Sequence, residues 1–574
     1  MQEITAETPH FPTHDNFTYR KYNSFVMQLE ISKSVSKKQK ESALIMRKQT
    51  KIAAVVSAAA LLALGASITS FAAAKGTWMM VDGEWYCYDK NGDAYENTFC
   101  SSNGKEYYVG DDGQLVRSQW VEDGADKYFV NSSGAKITND WRLTTPIDDD
   151  SADEEWFYFQ SNGKMAHDKK ITYKNKTYYF DGEGKMLTGW VTYDKDGEGN
   201  VDEANDFDSD KTYYCDETGA RLEKAWIKTT EPDVDDDNAD ADDYWYYFKS
   251  SGKAQTKKGT NINGQTYIFD NRGRMLTGWV AKDTDSNAYL EIGDENSDYY
   301  LKQFADVYFC GDEDDGHAKK NKWFKTWRPS EYDAEDDDND QYWYSIDKNG
   351  KVYIPSQSNA SKLAYGVKYK LKDAKLEAQN SGATIEFTKK NVNSKSYFFN
   401  QDGEMLSQFI EVSADNLGAD SGLKAGMYYF GGDDDGSMKT GSQSVKDDNG
   451  DSYKFFFENK TTGNTKGLGI TGNKSGYLYF KGLLIKADDY KYQLATITDE
   501  NGVEHTFIVN KNGSIQKNRV DYKEDNEVLF TTKNLPKDAF VTDSTAWKYS
   551  LKDGLTVEDD ITTPIDIYDV MPQN

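Results

Sequence analysis

The sequence predicts an all-β protein, a solenoid of stacked β-hairpins, and three observations support this. Aromatic residues make up 14% of the 574 residues and hydrophobic residues only 37%, so one large aliphatic core is not expected. Short aromatic runs followed by a turn glycine recur along the chain. The 45 glycines and 9 prolines suit many short strands joined by turns better than packed helices.

The N-terminal 74 residues are expected to lie outside this fold. Three basic residues follow Met46, and an apolar run from Ile52 to Ile68 comes next. These are the features of a secretory signal peptide over residues 46–74, with small residues before a cut at Lys75. Residues 1–45 lack apolar periodicity, and we interpret them as an over-extended, disordered N-terminus. The protein is therefore predicted to be secreted; an uncleaved signal anchor is the alternative.

The repeated segment is predicted to be one β-hairpin. In the segment from Tyr178 to Val191, YYFDGEGKMLTGWV, the leading aromatic residues favour a strand. The Asp-x-x-Gly turn supplies a residue with positive φ, and a second short strand ends in tryptophan. A single hairpin is marginally stable in water, so the units are expected to stack on one another.

The turn glycines define the repeat and its interruptions. Neighbouring glycines are 21 residues apart where the unit is shortest, as from Gly92 to Gly113, and the longer spacings contain acidic inserts. The inserts run from Thr144 to Trp156, Thr229 to Trp245 and Arg328 to Trp343. Trp156 and Trp245 are 89 residues apart, which indicates a super-unit of three hairpins. The predicted organisation is repeats over 75–354, an insert over 355–396, further repeats over 397–484, and degenerate repeats or a C-terminal cap over 485–574.

Two segments carry a family resemblance. Tyr178 to Val191 and Asn263 to Val280, NGQTYIFDNRGRMLTGWV, are similar to the choline-binding or cell-wall-binding repeats of Gram-positive surface proteins. The repeats of glucan-binding glucosyltransferases and clostridial toxins are related. The resemblance covers approximately residues 76–480 and implies a non-catalytic solenoid that attaches an exported protein to teichoic acid choline or to a glycan. The irregular spacing and acidic inserts depart from the compact family unit, so the ligand does not transfer directly.

The resemblance also implies where a ligand would bind. Aromatic faces from neighbouring hairpins can surround a quaternary ammonium group, because the ring quadrupole attracts a cation, and the same faces can stack on a sugar. The predicted cages are Trp190 with Tyr178 and Tyr213, and Trp279 with Tyr267 and Tyr308. Trp120, Trp141 and Trp226 are secondary candidates, since they lack the preceding glycine. The alternative is that all these rings only form the core of the solenoid.

One acidic loop has the spacing of a calcium site. In the segment from Asp194 to Asn205, the oxygen-bearing residues Asp194, Asp196, Glu198 and Asp202 fit positions of a twelve-residue calcium loop. Position 12 is Asn205 in place of the usual glutamate. A calcium-dependent structural or adhesive exoprotein, whose aromatic residues are only core, is therefore the alternative function. No cofactor other than calcium is implied.

Charge and motifs exclude other functions. The net charge of −29 argues against nucleic acid and anionic membrane surfaces as partners. The three histidines after residue 75 lie in unrelated contexts, and no nucleophile, zinc-protease or phosphate-binding motif is present. The sequence therefore predicts a protein that is not an enzyme.

Overall fold

A computed structural model of the chain describes residues 76–149, 151–195, 200–234, 241–293, 301–304, 306–329, 340–355, 357–558, 561–567 and 571. The predicted signal peptide and the 45 residues before it lie outside this part of the chain. The chain divides into two compact units, one up to Gln255 and one from Thr256. Among the described residues, no helix has the length and apolarity needed to cross a membrane.

The strands pair antiparallel and mostly form two-stranded hairpins. The first unit contains β1 (Thr77–Val81), β2 (Glu84–Tyr88), β3 (Thr98–Ser102), β4 (Lys105–Val109), β5 (Gln119–Asp123), β6 (Asp126–Val130), β7 (Asp140–Thr144), β8 (Glu155–Phe159), β9 (Lys169–Tyr173), β10 (Lys176–Phe180), β11 (Gly189–Asp194), β12 (Asn200–Glu203), β13 (Thr212–Cys215), β14 (Ala225–Thr229) and β15 (Tyr244–Phe248). The predicted all-β hairpin fold is confirmed.

The second unit begins with the same hairpins and ends in larger sheets. It contains β16 (Lys257–Ile262), β17 (Gln265–Phe269), β18 (Trp279–Lys282), β19 (Tyr289–Glu291), β20 (Asp306–Phe309), β21 (Lys322–Thr326), β22 (Tyr342–Ile346), β23 (Leu363–Lys372), β24 (Lys375–Ala378), β25 (Ile385–Val392), β26 (Lys395–Asn400), β27 (Phe409–Val412), β28 (Gly426–Tyr429), β29 (Gly441–Lys446), β30 (Ser452–Phe457), β31 (Gly472–Lys474), β32 (Tyr477–Phe480), β33 (Leu483–Leu484), β34 (Tyr492–Thr498), β35 (Glu504–Asn510), β36 (Ile515–Gln516), β37 (Asp521–Glu524) and β38 (Glu527–Thr531). Short 3-10 turns lie at Leu301–Gln303, Gln357–Lys362, Asn380–Gly382 and Thr462–Asn464.

The turn of the repeat is held by an Asp or Asn side chain. Asn131 follows β6, and its Oδ1 accepts hydrogen bonds from the backbone N–H groups of Ser133 and Ala135, at 2.9 and 3.0 Å. Gly134 completes the turn with a φ of 78°, a region that favours glycine. The same pair of bonds recurs at Asp89, Asp216, Asp270, Asp347, Asn400, Asp499 and Asn510. The repeat's turn therefore extends into the segment after residue 485.

Consecutive hairpins are joined by a backbone hydrogen bond from the residue that lies two positions after the turn glycine. The Lys136 N–H donates a 2.8 Å hydrogen bond to the carbonyl of Glu106 in the preceding hairpin. The same bond is made by Leu115, Met165, Met186, Arg221, Ala318, Val352, Met405 and Met438. The side chain at this position lies against the turn glycine of the next hairpin, since a Cβ on Gly184 would lie 2.5 Å from Met165 Cε. The Gly-x-Met spacing of the repeat thus provides the contact that stacks one hairpin on the next.

The segment interpreted as an insert, 355–396, is paired with the repeats that follow it. Strands β23, β24 and β25 form a six-stranded sheet with β26, β27 and β28. Strands β29 to β33 form a five-stranded sheet, and β34 to β36 a three-stranded one. A core that includes Phe409, Phe455, Phe457 and Phe507 packs these sheets together.

We expect Gly403→Ala to destabilise the second unit by about 2–4 kcal/mol. Gly403 has a φ of 81°, and an added Cβ would lie 2.5 Å from the backbone carbonyl oxygen of Tyr353, which cannot move aside as a side chain can. The cost combines an unfavourable φ with overpacking. Thermal unfolding followed by near-ultraviolet circular dichroism measures it.

Gly502→Ala is the matched control for this substitution. Gly502 closes the same type of turn with a φ of 78°, but an added Cβ would meet no atom within 4 Å. It should cost only about 1 kcal/mol, from backbone conformation alone. Equal losses of stability in the two variants would show that the contact between hairpins contributes nothing.

Candidate functional site

One position in the hairpin determines what each repeat contributes to a ligand site. We name it the closing position. It is the residue of the hairpin's first strand that pairs with the second strand's last residue but one before the turn. Trp120, which pairs with Phe129, and Trp141, which pairs with Tyr158, are examples. Along the chain it is occupied by Trp78, Phe99, Trp120, Trp141, Lys170, Trp190, Trp226, Lys258, Trp279, Trp323, Lys389 and Phe409. Three kinds of surroundings alternate along this series, so each kind returns every third hairpin.

The first predicted cage is assembled from different rings. Trp190 packs edge-on against Tyr214 and Tyr246, with ring centroids 5.2 and 4.9 Å apart. Tyr213 faces Val191 on the opposite side of the hairpin, and Tyr178 packs against Trp141 at 4.9 Å. The grouping of Trp190 with Tyr178 and Tyr213 is therefore wrong, because successive side chains on a strand point to opposite faces and the register pairs Trp190 with Tyr214.

The second predicted cage also contains different rings from those expected, again because of the strand register. Trp279 packs against Phe309 and Tyr344, at 5.3 and 4.8 Å. Tyr308 is one residue out of register with Trp279 and lies in a separate cluster with Tyr289. Tyr267 packs against His317. Trp279 with Tyr267 and Tyr308 is thus corrected to Trp279 with Phe309 and Tyr344.

Trp120, Trp190 and Trp279 form the first kind of closing residue, and the indole of each bonds to the backbone at the start of an acidic insert. Trp190 and Trp279 are only 9% and 1% exposed. Their indole N–H groups donate to the carbonyls of Thr230 and Trp327, at 2.9 and 3.1 Å, and Trp120 donates to Thr145 in the same way. Thr145 and Thr230 are the second residues of the first two inserts, and Trp327 immediately precedes the third. The start of each insert thus contacts the tryptophan of the preceding hairpin; Trp190 and Trp279 are buried there, whereas Trp120 stays partly exposed.

Lysines occupy the second kind of closing position. Lys170 and Lys258 place Nζ 5.1 Å from the Tyr193 ring centroid and 4.5 Å from the Tyr308 ring centroid. Lys389 is the third, and burial lowers the pKa of all three ammonium groups. At the equivalent Phe99, the ammonium group of Lys136 lies 4.7 Å from the ring. The chain's own cations already occupy these aromatic surfaces.

The third kind of closing position carries an open pair of tryptophans, which we name a Trp-pair site. In the first Trp-pair site, Trp141 and Trp156 are 6.5 Å apart at 82°. Tyr178 and Tyr173 stand around Trp141 at 4.9 and 5.8 Å, and Tyr158 closes the base at 5.0 Å. Tyr158 is buried, whereas the other four rings are partly exposed. Five aromatic rings therefore lie together here, and four of them are partly exposed to solvent.

The same tryptophan pair recurs twice along the chain. In the second Trp-pair site, Trp226 and Trp245 are 6.4 Å apart at 82°, and Trp226 packs against Tyr247 at 5.1 Å. In the third, Trp323 and Trp343 pack on a cluster that includes Tyr397, with Trp323 and Tyr397 4.7 Å apart. All four tryptophans are partly exposed.

Exposed cations already reach the rims of two of these sites. Lys174 places Nζ 4.9 Å from the Tyr173 ring in the first, and Lys325 lies 5.9 Å from the Trp343 ring in the third. The Trp343 indole N–H also donates to Asp434, 2.9 Å away, which pairs with Lys325. A ligand cation would share these two rings with a lysine of the chain.

The first hairpin has the tryptophan pair without the cage. Trp78 occupies its closing position, and Trp85 lies at the position of Trp156. Cys87 faces Trp78 where Tyr158 faces Trp141, and Tyr107 is in ring contact with Trp78 at 5.7 Å. The third Trp-pair site also lacks this tyrosine, because Ser345 faces Trp323, but Trp323 is in ring contact with Tyr397 and Phe399. With only the ring of Tyr107 described in contact with Trp78, the first hairpin offers fewer aromatic faces than the three Trp-pair sites.

The predicted calcium loop is described only at its ends. Asp196 and Glu198 lie outside the described residues. Asp194 pairs with Lys211 at 2.7 Å, and Asp202 is exposed and accepts the Glu203 N–H at 2.9 Å. Among the described residues, no group of three or more acidic, histidine or cysteine side chains is placed to hold a metal. Calcium binding here stays a prediction, and Lys211 would compete with the ion for Asp194.

The comparisons with known proteins agree with the repeat motif. Residues 151–189 match the choline-binding repeat family, and this segment contains Trp156, Tyr158, Tyr173 and Tyr178 of the first Trp-pair site. Glucosyltransferase-S of Streptococcus mutans serotype c is 32% identical over 217 residues, which cover 38% of this chain and 12% of that protein. Glucosyltransferase-I of Streptococcus downei is 26% identical over 363 residues, 56% of this chain and 20% of that protein. The chain thus spans a fifth or less of the length of these two relatives.

Two solved structures of proteins from Streptococcus pneumoniae are also similar. Choline binding protein F of Streptococcus pneumoniae shares 16% identity, with 78% of this chain and 100% of that chain covered and a TM-score of 0.26. The modular autolysin LytC of the same species, solved with a synthetic peptidoglycan ligand, shares 16% identity over 58% of this chain and 52% of that chain, with a TM-score of 0.31. The resemblance read from the repeat motif is confirmed by the family match over residues 151–189.

Proposed function

We propose that the chain is an exported, non-catalytic protein that attaches to the cell wall by binding quaternary ammonium groups, the choline of a wall polymer, at its three Trp-pair sites. The recurrence of the partly exposed tryptophan pair every third hairpin carries this proposal. The match to the choline-binding repeat family supports it, because the matched residues supply most rings of the first Trp-pair site.

The three sites are expected to be weak singly and effective together. A cation over an aromatic face gains about 0.5–2 kcal/mol per ring, so two or three rings supply roughly the 4 kcal/mol of a millimolar dissociation constant. A polymer that carries many choline groups can engage several sites of one chain at once, which raises the overall affinity without any new contact. Weak binding of free choline and firm binding to walls are therefore compatible.

Calorimetric titration of the chain from Lys75 onward with choline tests the proposal. We expect about three equivalents of choline with millimolar dissociation constants, accompanied by a change in tryptophan fluorescence. The control ligand is 3,3-dimethylbutanol, which has the shape of choline but no charge and should not bind, because the ring faces attract the cation. Equal binding of the neutral alcohol, or no binding of choline, would contradict a cation site. Neutral sugars are the competing class for the same rings and are titrated in parallel.

A further inference from the structure

A groove of about 1250 Å³ lies in the second unit, apart from the Trp-pair sites. Strand β23, the segment after β27, the turn between β34 and β35 and the segment around Trp547 all contribute to its walls. Sites for single small molecules are typically about 300–1,000 Å³, so this groove has room for an oligomer.

The aromatic wall of the groove is held in place by its neighbours. Trp547 is partly exposed, and the His505 ring stacks on it with centroids 3.9 Å apart at 4°. His505 Nε2 contacts Asp499 at 3.3 Å, and the same carboxylate accepts the backbone N–H groups of Asn501 and Val503, each at 2.9 Å. Asp499 and Asn501 themselves line the groove. Trp547 is therefore an aromatic surface fixed before any ligand arrives, which lowers the entropic cost of binding.

The charged part of the lining is net negative, with Glu411, Asp415, Asp499 and Glu500 against the single basic residue Lys481. Glu411 and Lys481 form an ion pair at 2.7 Å, with side chains only 16% and 14% exposed. Asp415 and Glu500 are exposed and leave a negative rim, which disfavours anionic ligands. Other polar lining residues are neutral: Thr384, Ser413, Asn416, Thr471, Thr498 and Asn501. Hydroxyl and amide groups beside an aromatic face suit the hydroxyls and apolar face of a sugar.

We propose that this groove binds a neutral oligosaccharide, with Trp547 stacking on a sugar ring and the hydroxyl and amide side chains bonding to its hydroxyls. The site is separate from the choline sites of the proposed function, so the chain would contact two chemical features of a wall. The probes are an α-1,6-linked glucose hexamer and a β-1,4-linked N-acetylglucosamine tetramer.

Calorimetry with both probes tests the groove. The wild-type chain should bind at least one of them, Trp547→Ala should bind it at least tenfold more weakly, and Trp547→Phe should retain part of the affinity because it keeps an aromatic face. The control is Tyr477→Ala, which removes an aromatic residue that is 42% exposed and does not line the groove. Binding of neither probe by the wild type, or unchanged affinity in Trp547→Ala, overturns the proposal.

Two further variants keep the result decisive. If near-ultraviolet circular dichroism shows that Trp547→Ala is unfolded, the exposed Asn501→Ala replaces it; a several-fold loss supports the groove and unchanged affinity overturns it. A variant without Trp156, Trp245 and Trp343 should lose choline binding and still bind the sugar. If it loses the sugar as well, the sugar binds at the Trp-pair sites and the groove proposal is wrong, whatever becomes of choline.

Discussion

Replacing Trp156, Trp245 and Trp343 together by alanine is expected to abolish sedimentation of the chain with choline-bearing cell walls. Each substitution removes one wall of a Trp-pair site and should weaken that site about tenfold, since the loss of a cation–ring contact of about 1.4 kcal/mol is a factor of ten. The effects multiply on a polymer, because attachment depends on several sites being engaged together. The bound fraction of the chain as a function of wall concentration measures the effect.

Trp85→Ala is the matched control for the triple variant. Trp85 has the same register position in the first hairpin and is also partly exposed, but Trp78 of that hairpin is in described ring contact with Tyr107 only, whereas the closing tryptophan of each Trp-pair site contacts two or more rings. Sedimentation should be unchanged in this variant. All the substituted tryptophans are partly exposed, so unfolding temperatures should stay within a few degrees of the wild type. A triple variant that sediments like the wild type would place wall binding elsewhere in the chain.

Removing the guanidinium of Arg328 is expected to destabilise the second unit by about 3 kcal/mol. Arg328 donates to both carboxylate oxygens of Glu404, at 2.5 and 3.2 Å, and the Glu404 side chain is only 5% exposed. Arg328→Met leaves a buried carboxylate whose remaining side-chain donor is Asn400 at 2.8 Å. Breaking one side of a buried pair typically costs about 3–5 kcal/mol, and the 43% exposure of Arg328 places this case at the lower end.

Two comparisons isolate the buried charge as the cause. Glu404→Gln in the Arg328→Met background should restore most of the lost stability, because the uncompensated charge is gone; a double-mutant cycle from urea unfolding measures the coupling. Lys325→Met breaks an exposed pair with Asp434, whose side chains are 37% and 69% exposed, and should cost less than about 1 kcal/mol. A large loss that Glu404→Gln does not recover would assign the effect to lost packing of Arg328 on Tyr342.

The hairpin repeat could be predicted from sequence because its signals are local. The aromatic run, the Asp or Asn that begins the turn and the glycine that ends it lie within a few residues of one another, and the structure shows the bonds that they make around Asn131 and Gly134. The methionine two residues after the glycine belongs to the local motif. Its packing role could not be predicted from that motif, because it contacts the turn glycine of the next hairpin.

The sites were harder to predict because they depend on strand register and on distant segments. Tyr213 and Tyr214 are chemically identical neighbours, and only the pairing of Trp190 with Tyr214 decides which one shares its face. Trp141 ranked below Trp190 because it lacks the preceding glycine, yet Trp190 is covered by a loop that begins 40 residues later. The spacing of Trp156, Trp245 and Trp343, each at the end of an acidic insert, was the signal in the sequence for the open sites.

The way the hairpins are joined has a mechanical consequence. Each basal hairpin is connected to the next by a backbone hydrogen bond, as from Lys136 to Glu106, by the contact with the turn glycine and by ring contacts such as Trp141 with Tyr178. Such repeats interact mainly with their nearest neighbours, so a pulling force meets a series of similar small interfaces. Detaching one basal hairpin of 21 residues releases about 70 Å of extended chain. A chain held to a wall by its Trp-pair sites would lengthen in steps under load, and each step would dissipate energy before the attachment itself is pulled away.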